Sequence, residues 1–406
     1  MKKAKLASFA GDLVFLIVTI WIVLIIILQH QRANVDQLSL LSGGEHPWPV
    51  FQEGIFSFLL VRLIGLASHV DHANLNDVVR SVAAVLFIGA VYLNARYLLK
   101  SQGLRLLGLG LVVISGFPML WLSSEVFAGA MASLYMFFLL NSARPALTAL
   151  AVCFFAFCKP DLILIGTFLA VWTFFSYSKS KERMEFVAVC MATVVLLNVP
   201  GVFLNGIDAQ FSMARTFWAF HPMFAILAAR YQVNPGPEPW AYSFYYMDAL
   251  MPGARSMLDV IIKYPYLYST FVAISTVRAI ARFGLVLNVL LLLWGAAVFS
   301  FVKFRIAKQN MPDQLSKALQ VTCLFLIAVI PIILFTFIRT RYIARFFPPF
   351  LILAIIYIEQ FPFSSKKKKW ACVGLLIIGL FLGPRHILDA LTHPGQFTDF
   401  WSPHEP

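Results

Sequence analysis

Apolar residues in this chain come in unbroken runs, with neither the alternation of a half-buried strand nor the narrow stripe of a soluble helix. A run of about 20 apolar residues crosses the hydrocarbon core of a bilayer. Backbone groups in lipid must pair internally, so a spanning segment is a helix or part of a closed barrel. Without a period-two pattern, helices are selected. The runs predict helices near 13–28, 81–98, 105–120, 125–141, 145–158, 161–177, 185–200, 283–302, 319–338, 342–359 and 370–383. The expected fold class is all-α: a polytopic membrane protein with about eleven transmembrane helices, forming a single transmembrane domain over 1–406.

The first run follows Met1-Lys2-Lys3-Ala4-Lys5 and is succeeded by Gln29-His30-Gln31-Arg32. It lacks a small-x-small cleavage site and reads as an uncleaved first helix rather than a signal peptide. The segment from Ile55 to His69 is apolar but short, with Arg62 in its middle. A helix lying in the plane of the outer leaflet fits it.

Composition agrees with the pattern. The chain is 60% hydrophobic and 13% charged, with mean hydropathy +0.80, too few polar residues to clothe a soluble domain. The net charge of +13 would raise nucleic acid in a soluble protein. Here no nucleic-acid-binding motif accompanies it, and membrane orientation explains it better. With the N-terminus inside, the inner segments hold Lys2, Lys3, Lys5, Arg96, Lys100, Arg105, Arg144, Lys179, Lys181, Arg183, Lys303, Arg305, Lys308, Lys317 and Lys366 to Lys369, more than half of the 32 basic residues. Two long extracytoplasmic loops follow, 29–80 and 201–282, and the C-terminus also falls outside. The second loop is rich in aromatics suited to the headgroup region, from Trp218 to Tyr246. The expected location is the plasma membrane, N-terminus cytoplasmic. All five cysteines fall in apolar segments without CxxC spacing and read as small buried hydrophobes.

Candidate chemistry gathers on the outer side. Asp36 and Glu45 lie in the first outer loop with Glu53. A carboxylate there is a candidate general base toward a hydroxyl, or a solvated loop acid. Glu125 opens an apolar helix after Ser123-Ser124. An acid at membrane depth is costly and is usually functional or paired; it also complements the helix dipole. In the turn Lys159-Pro160-Asp161, Lys159 pairs with Asp161 or offers a cation to a phosphate. Arg339, Arg341, Tyr342 and Arg345 crowd a very short outer turn. Arginines there oppose the positive-inside trend. Their guanidinium groups suit an anionic headgroup or diphosphate; snorkelling is the other reading. All eight histidines fall outside. His69 with His72, or His46 with Glu45, would suit a divalent metal, though no HExxH spacing supports one. No Gly-x4-Gly-Lys-Ser/Thr phosphate loop and no GxSxG motif occurs.

The arrangement resembles the GT-C class of membrane glycosyltransferases, which includes the protein mannosyltransferase-like enzymes. Asn34-Val35-Asp36 lies where that family carries an acid soon after the first helix. Gly116-Phe117-Pro118 followed by Ser124-Glu125 looks like its Pro-then-acid helix entry. Ala156-Phe157-Cys158-Lys159-Pro160 is similar to its Lys-Pro turn, and Thr340-Arg341-Tyr342 with Phe347-Pro348 to its late Arg-Tyr segment. The chain departs from the family in lacking adjacent first-loop acids and a large outer domain.

The resemblance implies transfer of a sugar from a polyprenyl-phosphate donor to a glycan, lipid or protein acceptor at the outer face. Asp36 or Glu45 would deprotonate the acceptor. Arg341, Arg345 and Lys159 would hold the phosphate, and attack would invert the anomeric carbon. Two other classes remain open: a lipid-linked glycan ligase or polymerase, which would use His221 with Arg215, and a lipid transporter or flippase, which would need ionisable groups at the bilayer midplane.

Overall fold

The computed structural model describes residues 2–29, 54–68, 72–114, 123–159, 162–210, 251–254, 257–270, 312–335 and 345–360, with single residues and short pieces at 272–273, 293–302 and 366–374. The described residues form helices and no strands. In chain order they are α1 (Lys2–Gln29), α2 (Ile55–Ser68), α3 (His72–Leu98), α4 (Gln102–Ile114), α5 (Ser123–Leu140), α6 (Pro145–Phe157), α7 (Leu162–Ser176), α8 (Ser180–Asn205), the short α9 (Ile207–Gln210) and α10 (Met257–Lys263), α11 (Asp313–Phe335) and α12 (Phe347–Gln360).

Two of these, over Asn74–Leu98 and Ser180–Asn205, are long and apolar enough to cross a membrane. α8 carries its apolar residues outward: Leu196 is 72% exposed and Phe203 84%. α1 likewise exposes Leu16, Ile17, Ile20 and Trp21 while burying Ile22 and Ile26. Contiguous apolar surface of this kind marks a membrane or partner contact, since water penalises it.

The core sits around α3 and α5, which pack along each other, with α6, α11 and α12 against α5. Phe87, Phe127, Phe325, Phe346 and Phe350 fill it. Buried polar groups link neighbouring helices. Asn94 donates from Nδ2 to the Ser133 carbonyl of α5 at 2.8 Å, and to the Ala90 carbonyl of its own helix at 2.8 Å, and the Tyr135 hydroxyl lies 2.6 Å from Thr173 Oγ1. In an apolar interior such bonds are the polar glue between helices, worth about 0.6–2 kcal/mol each. α6 and α7 approach closely at Gly166, where a Cβ would sit 2.3 Å from that of Ala156.

Polar contacts mark two opposite ends of the bundle. At one end Tyr92 and Arg96 bind Asp12, Gln314 donates to the Leu98 carbonyl, and Lys317 donates to Ser142. Glu359 there accepts the N–H groups of Lys100 and Ser101, and Lys368 donates to the Glu359 carbonyl. α3, α5 and α12 finish at this end and α4 and α11 begin there. At the other end lie the start of α5, the end of α6 and the start of α12.

Several element boundaries differ from the sequence expectation: α1 starts at Lys2 rather than near 13, α8 spans Ser180–Asn205 rather than 185–200, and α11 starts at Asp313 rather than near 319. α3 starts at His72 rather than near 81, so part of the expected first loop, 72–80, is helical. Its polar residues hid it from hydropathy: Asn76, Asp77 and Arg80 are buried inside the protein at 5–7% exposure, which a lipid-facing segment would not tolerate. α12 starts at Phe347 rather than 342. Pro348 and Pro349 sit in its first turn, where the missing N–H groups cost nothing.

Candidate functional site

Three helix ends converge on one carboxylate. Glu125 lies in the first turn of α5, where the helix dipole favours a negative charge. Its side chain is 0% exposed. Lys159, immediately past α6, places Nζ 2.6 Å from Glu125 Oε1. Arg345, in the turn that leads into α12, places Nε 3.0 Å from Glu125 Oε2. That ion pair is close, but the Nε–H is not aimed along a hydrogen bond to the oxygen. Arg345 is fully buried, whereas 16% of the Lys159 side chain is exposed.

The surroundings are aromatic. Phe346, beside Arg345, packs edge-on to Phe155 and Phe325 at 5.7 and 5.8 Å and stacks on Phe350 at 6.0 Å. Low polarity strengthens each charge–charge attraction and raises the cost of a charge without a partner. The three side chains sum to one positive charge. Both Glu125 oxygens face cations, so the geometry gives this carboxylate the role of holding Lys159 and Arg345 in place. Lys159 is the member of the three with solvent access.

α2 closes the floor of this site. Ser57, 0% exposed, donates its hydroxyl to the Cys158 carbonyl at 2.9 Å. Gly54 has φ +85°, and a Cβ there would lie 2.2 Å from the same oxygen. Ile55 packs with Ala156, Phe157 and Leu197. Sequence reasoning did not single out Gly54 or Ser57. The only signal was a glycine immediately before an apolar run.

Of the residues singled out from sequence, the structure brings together Glu125, Lys159 and Arg345. Among the described residues the partner of Lys159 is Glu125; the neighbouring Asp161 lies outside the described residues. Arg345 lies in the turn ahead of α12, and Arg341, with which a shared helix face was expected, lies outside the described residues. Asp36, Glu45, Arg339, Arg341 and Tyr342 also lie outside the described residues, as do Glu53, His46, His69, Arg215 and His221. Among the described residues, no group of three or more His, Cys, Asp or Glu side chains comes together to hold a metal ion.

Comparison of the chain with protein-family models, with curated proteins and with solved structures finds no match.

Proposed function

We propose that the protein is a polytopic membrane glycosyltransferase that moves a sugar from a polyprenyl-phosphate donor to an acceptor hydroxyl at the extracytoplasmic face. The chain crosses the bilayer about eleven times in this reading, with its N-terminus in the cytoplasm and its C-terminus outside, in the plasma membrane. The observation that carries the reading is the Lys159 ammonium, partly exposed and fixed at 2.6 Å on a fully buried Glu125 that also pairs with Arg345. A fixed cation at the end of a helical bundle suits a phosphate whose lipid tail lies in the hydrocarbon. The opposite end carries Arg96, Lys100, Arg105, Lys317 and Lys368, and by the positive-inside tendency it faces the cytoplasm.

In the reaction, a first-loop carboxylate, Asp36 or Glu45, takes the proton from the acceptor hydroxyl. The acceptor oxygen attacks the anomeric carbon from the face opposite the phosphate. The bond from that carbon to the phosphate oxygen breaks, its electron pair stays on the phosphate, and the configuration inverts. Lys159 and Arg345, with Arg339, Arg341 and Tyr342 from the adjoining segment, neutralise the charge that develops on the leaving phosphate. Charge-directed groups of this type commonly supply several kcal/mol of transition-state stabilisation.

The test is reconstitution of the full chain in proteoliposomes with labelled polyprenyl-phosphate sugars, comparing it with the Lys159→Ala, Asp36→Asn and Glu45→Gln variants. Expected is sugar transfer, or slow hydrolysis to free sugar, that falls at least 100-fold in Lys159→Ala, as for loss of a charge-stabilising group. Undiminished turnover in Lys159→Ala removes the role assigned to the cluster. Turnover surviving the loss of both Asp36 and Glu45 removes the assignment of the base.

A further inference from the structure

We infer that Gly54 and Ser57 are positioning residues for the Lys159 ammonium, acting through the Cys158 carbonyl. The inference rests on the reading of Lys159 as the phosphate-binding cation. The carbonyl of Cys158 stands at the C-terminal end of α6, where helix carbonyls lose their intrahelical partners. In water such a group finds solvent. Here it finds the hydroxyl of Ser57 at 2.9 Å.

Glycine at 54 lets the two backbones meet. With φ +85° and a Cβ position 2.2 Å from the Cys158 oxygen and 2.9 Å from its carbon, no other residue fits without moving one chain. The N-terminus of α2 is thereby docked, backbone to backbone, on the peptide group that joins Cys158 to Lys159. The packing of Ile55 on Ala156, Phe157 and Leu197 holds the joint from the apolar side.

That peptide plane sets the direction from which the Lys159 side chain departs. A lysine has a long stem with four rotatable bonds and loses about 2 kcal/mol of rotamer entropy when fixed. Its Nζ nevertheless sits on Glu125 at hydrogen-bond distance. A joint that fixes the backbone reduces the disorder left to the stem, and small misplacements of a binding group carry large functional costs. α2 lies within the expected first outer loop, 29–80, so that loop is tied directly to the cation site.

A merely structural role for Ser57, satisfying a helix-end carbonyl, makes a different prediction. Its loss would then matter equally with or without the lysine charge. The experiment uses the full chain in nanodiscs with farnesyl phosphate as probe, and measures Kd for the parent, Ser57→Ala, Lys159→Met and the double variant. Ser57→Ala is expected to weaken binding about fivefold, the scale of one hydrogen bond. In the Lys159→Met background it is expected to have no further effect, and Ser57→Thr is expected to restore affinity to within about twofold of the parent. An equal loss in both backgrounds, or none in either, overturns the inference.

A second readout separates this inference from the functional reading. If the parent does not bind farnesyl phosphate, the glycosyltransferase reading fails, but the coupling between Lys159→Met and Glu125→Gln in chemical unfolding is still measurable. Positioning by Ser57 requires that coupling to shrink by at least half in the Ser57→Ala background. An unchanged coupling overturns the inference.

Discussion

Replacing Glu125 by Gln keeps the side-chain shape and removes one charge from the interior. Lys159 and Arg345 then lose the carboxylate they share. Each contact is close, 2.6 Å to Lys159 and 3.0 Å to Arg345. At an effective dielectric constant of about 20, a pair at 3 Å attracts by about 5 kcal/mol, before the cost of taking both ions out of water. That desolvation cancels much of the gain in the intact protein, so the cluster as a whole adds little net stability. Removing the shared partner is another matter, because the desolvation remains and the attraction does not. With Glu125 and Arg345 both fully buried, the expected loss is about 3–5 kcal/mol.

The assay is chemical unfolding of the full chain in detergent micelles, with the parent, Glu125→Gln and Glu125→Gln/Lys159→Met compared at one ionic strength. The double variant removes one of the two cations and is expected to regain about 1–3 kcal/mol of the single variant's loss. Both outcomes follow from the same premise, that the three charges share a dry site. A loss under about 1 kcal/mol for Glu125→Gln, or a double variant no more stable than the single one, would show that water reaches the cluster and that the low-polarity argument is wrong.

Other substitutions probe separate parts of the structure. Gly54→Ala forces a side chain onto the Cys158 carbonyl at a positive φ and is expected to destabilise by more than about 2 kcal/mol in the same unfolding assay. Gly166→Ala sets two methyl groups at 2.3 Å between α6 and α7; the expected cost is about 1–3 kcal/mol, and an unchanged midpoint would mean that the two helices separate freely. Sidedness is tested by labelling single cysteines in a background lacking the native five. Lys181→Cys, on the exposed start of α8, is expected to react with a membrane-impermeant maleimide only after permeabilisation. Tyr266→Cys, at a position 81% exposed in the second long loop, is expected to react in intact cells. The reverse pattern turns the protein over and puts Lys159 on the cytoplasmic side.

Hydropathy alone pointed to helices, because long apolar runs without alternation suit the element that pairs its own backbone N–H and C=O groups, and the described residues are helical. It also located α5, α6 and α7 to within a few residues, since Ser123, Pro145 and the Lys159-Pro160 turn punctuate the runs. It missed the start of α3, where Asn76, Asp77 and Arg80 look like loop residues by type and are buried against protein. Local pattern records how polar a residue is, not what it packs against. Charge in apolar surroundings singled out Glu125, Lys159 and Arg345, which are 34 and 220 residues apart along the chain from that glutamate. That they meet was decided only by the tertiary structure, through the parallel course of α3 and α5 and the return of α6 and α12 to one end. The joint at Gly54 and Ser57 is of the same kind: a backbone carbonyl carries no signal in a sequence, and its need for a partner appears only when the helix that ends there is buried by another.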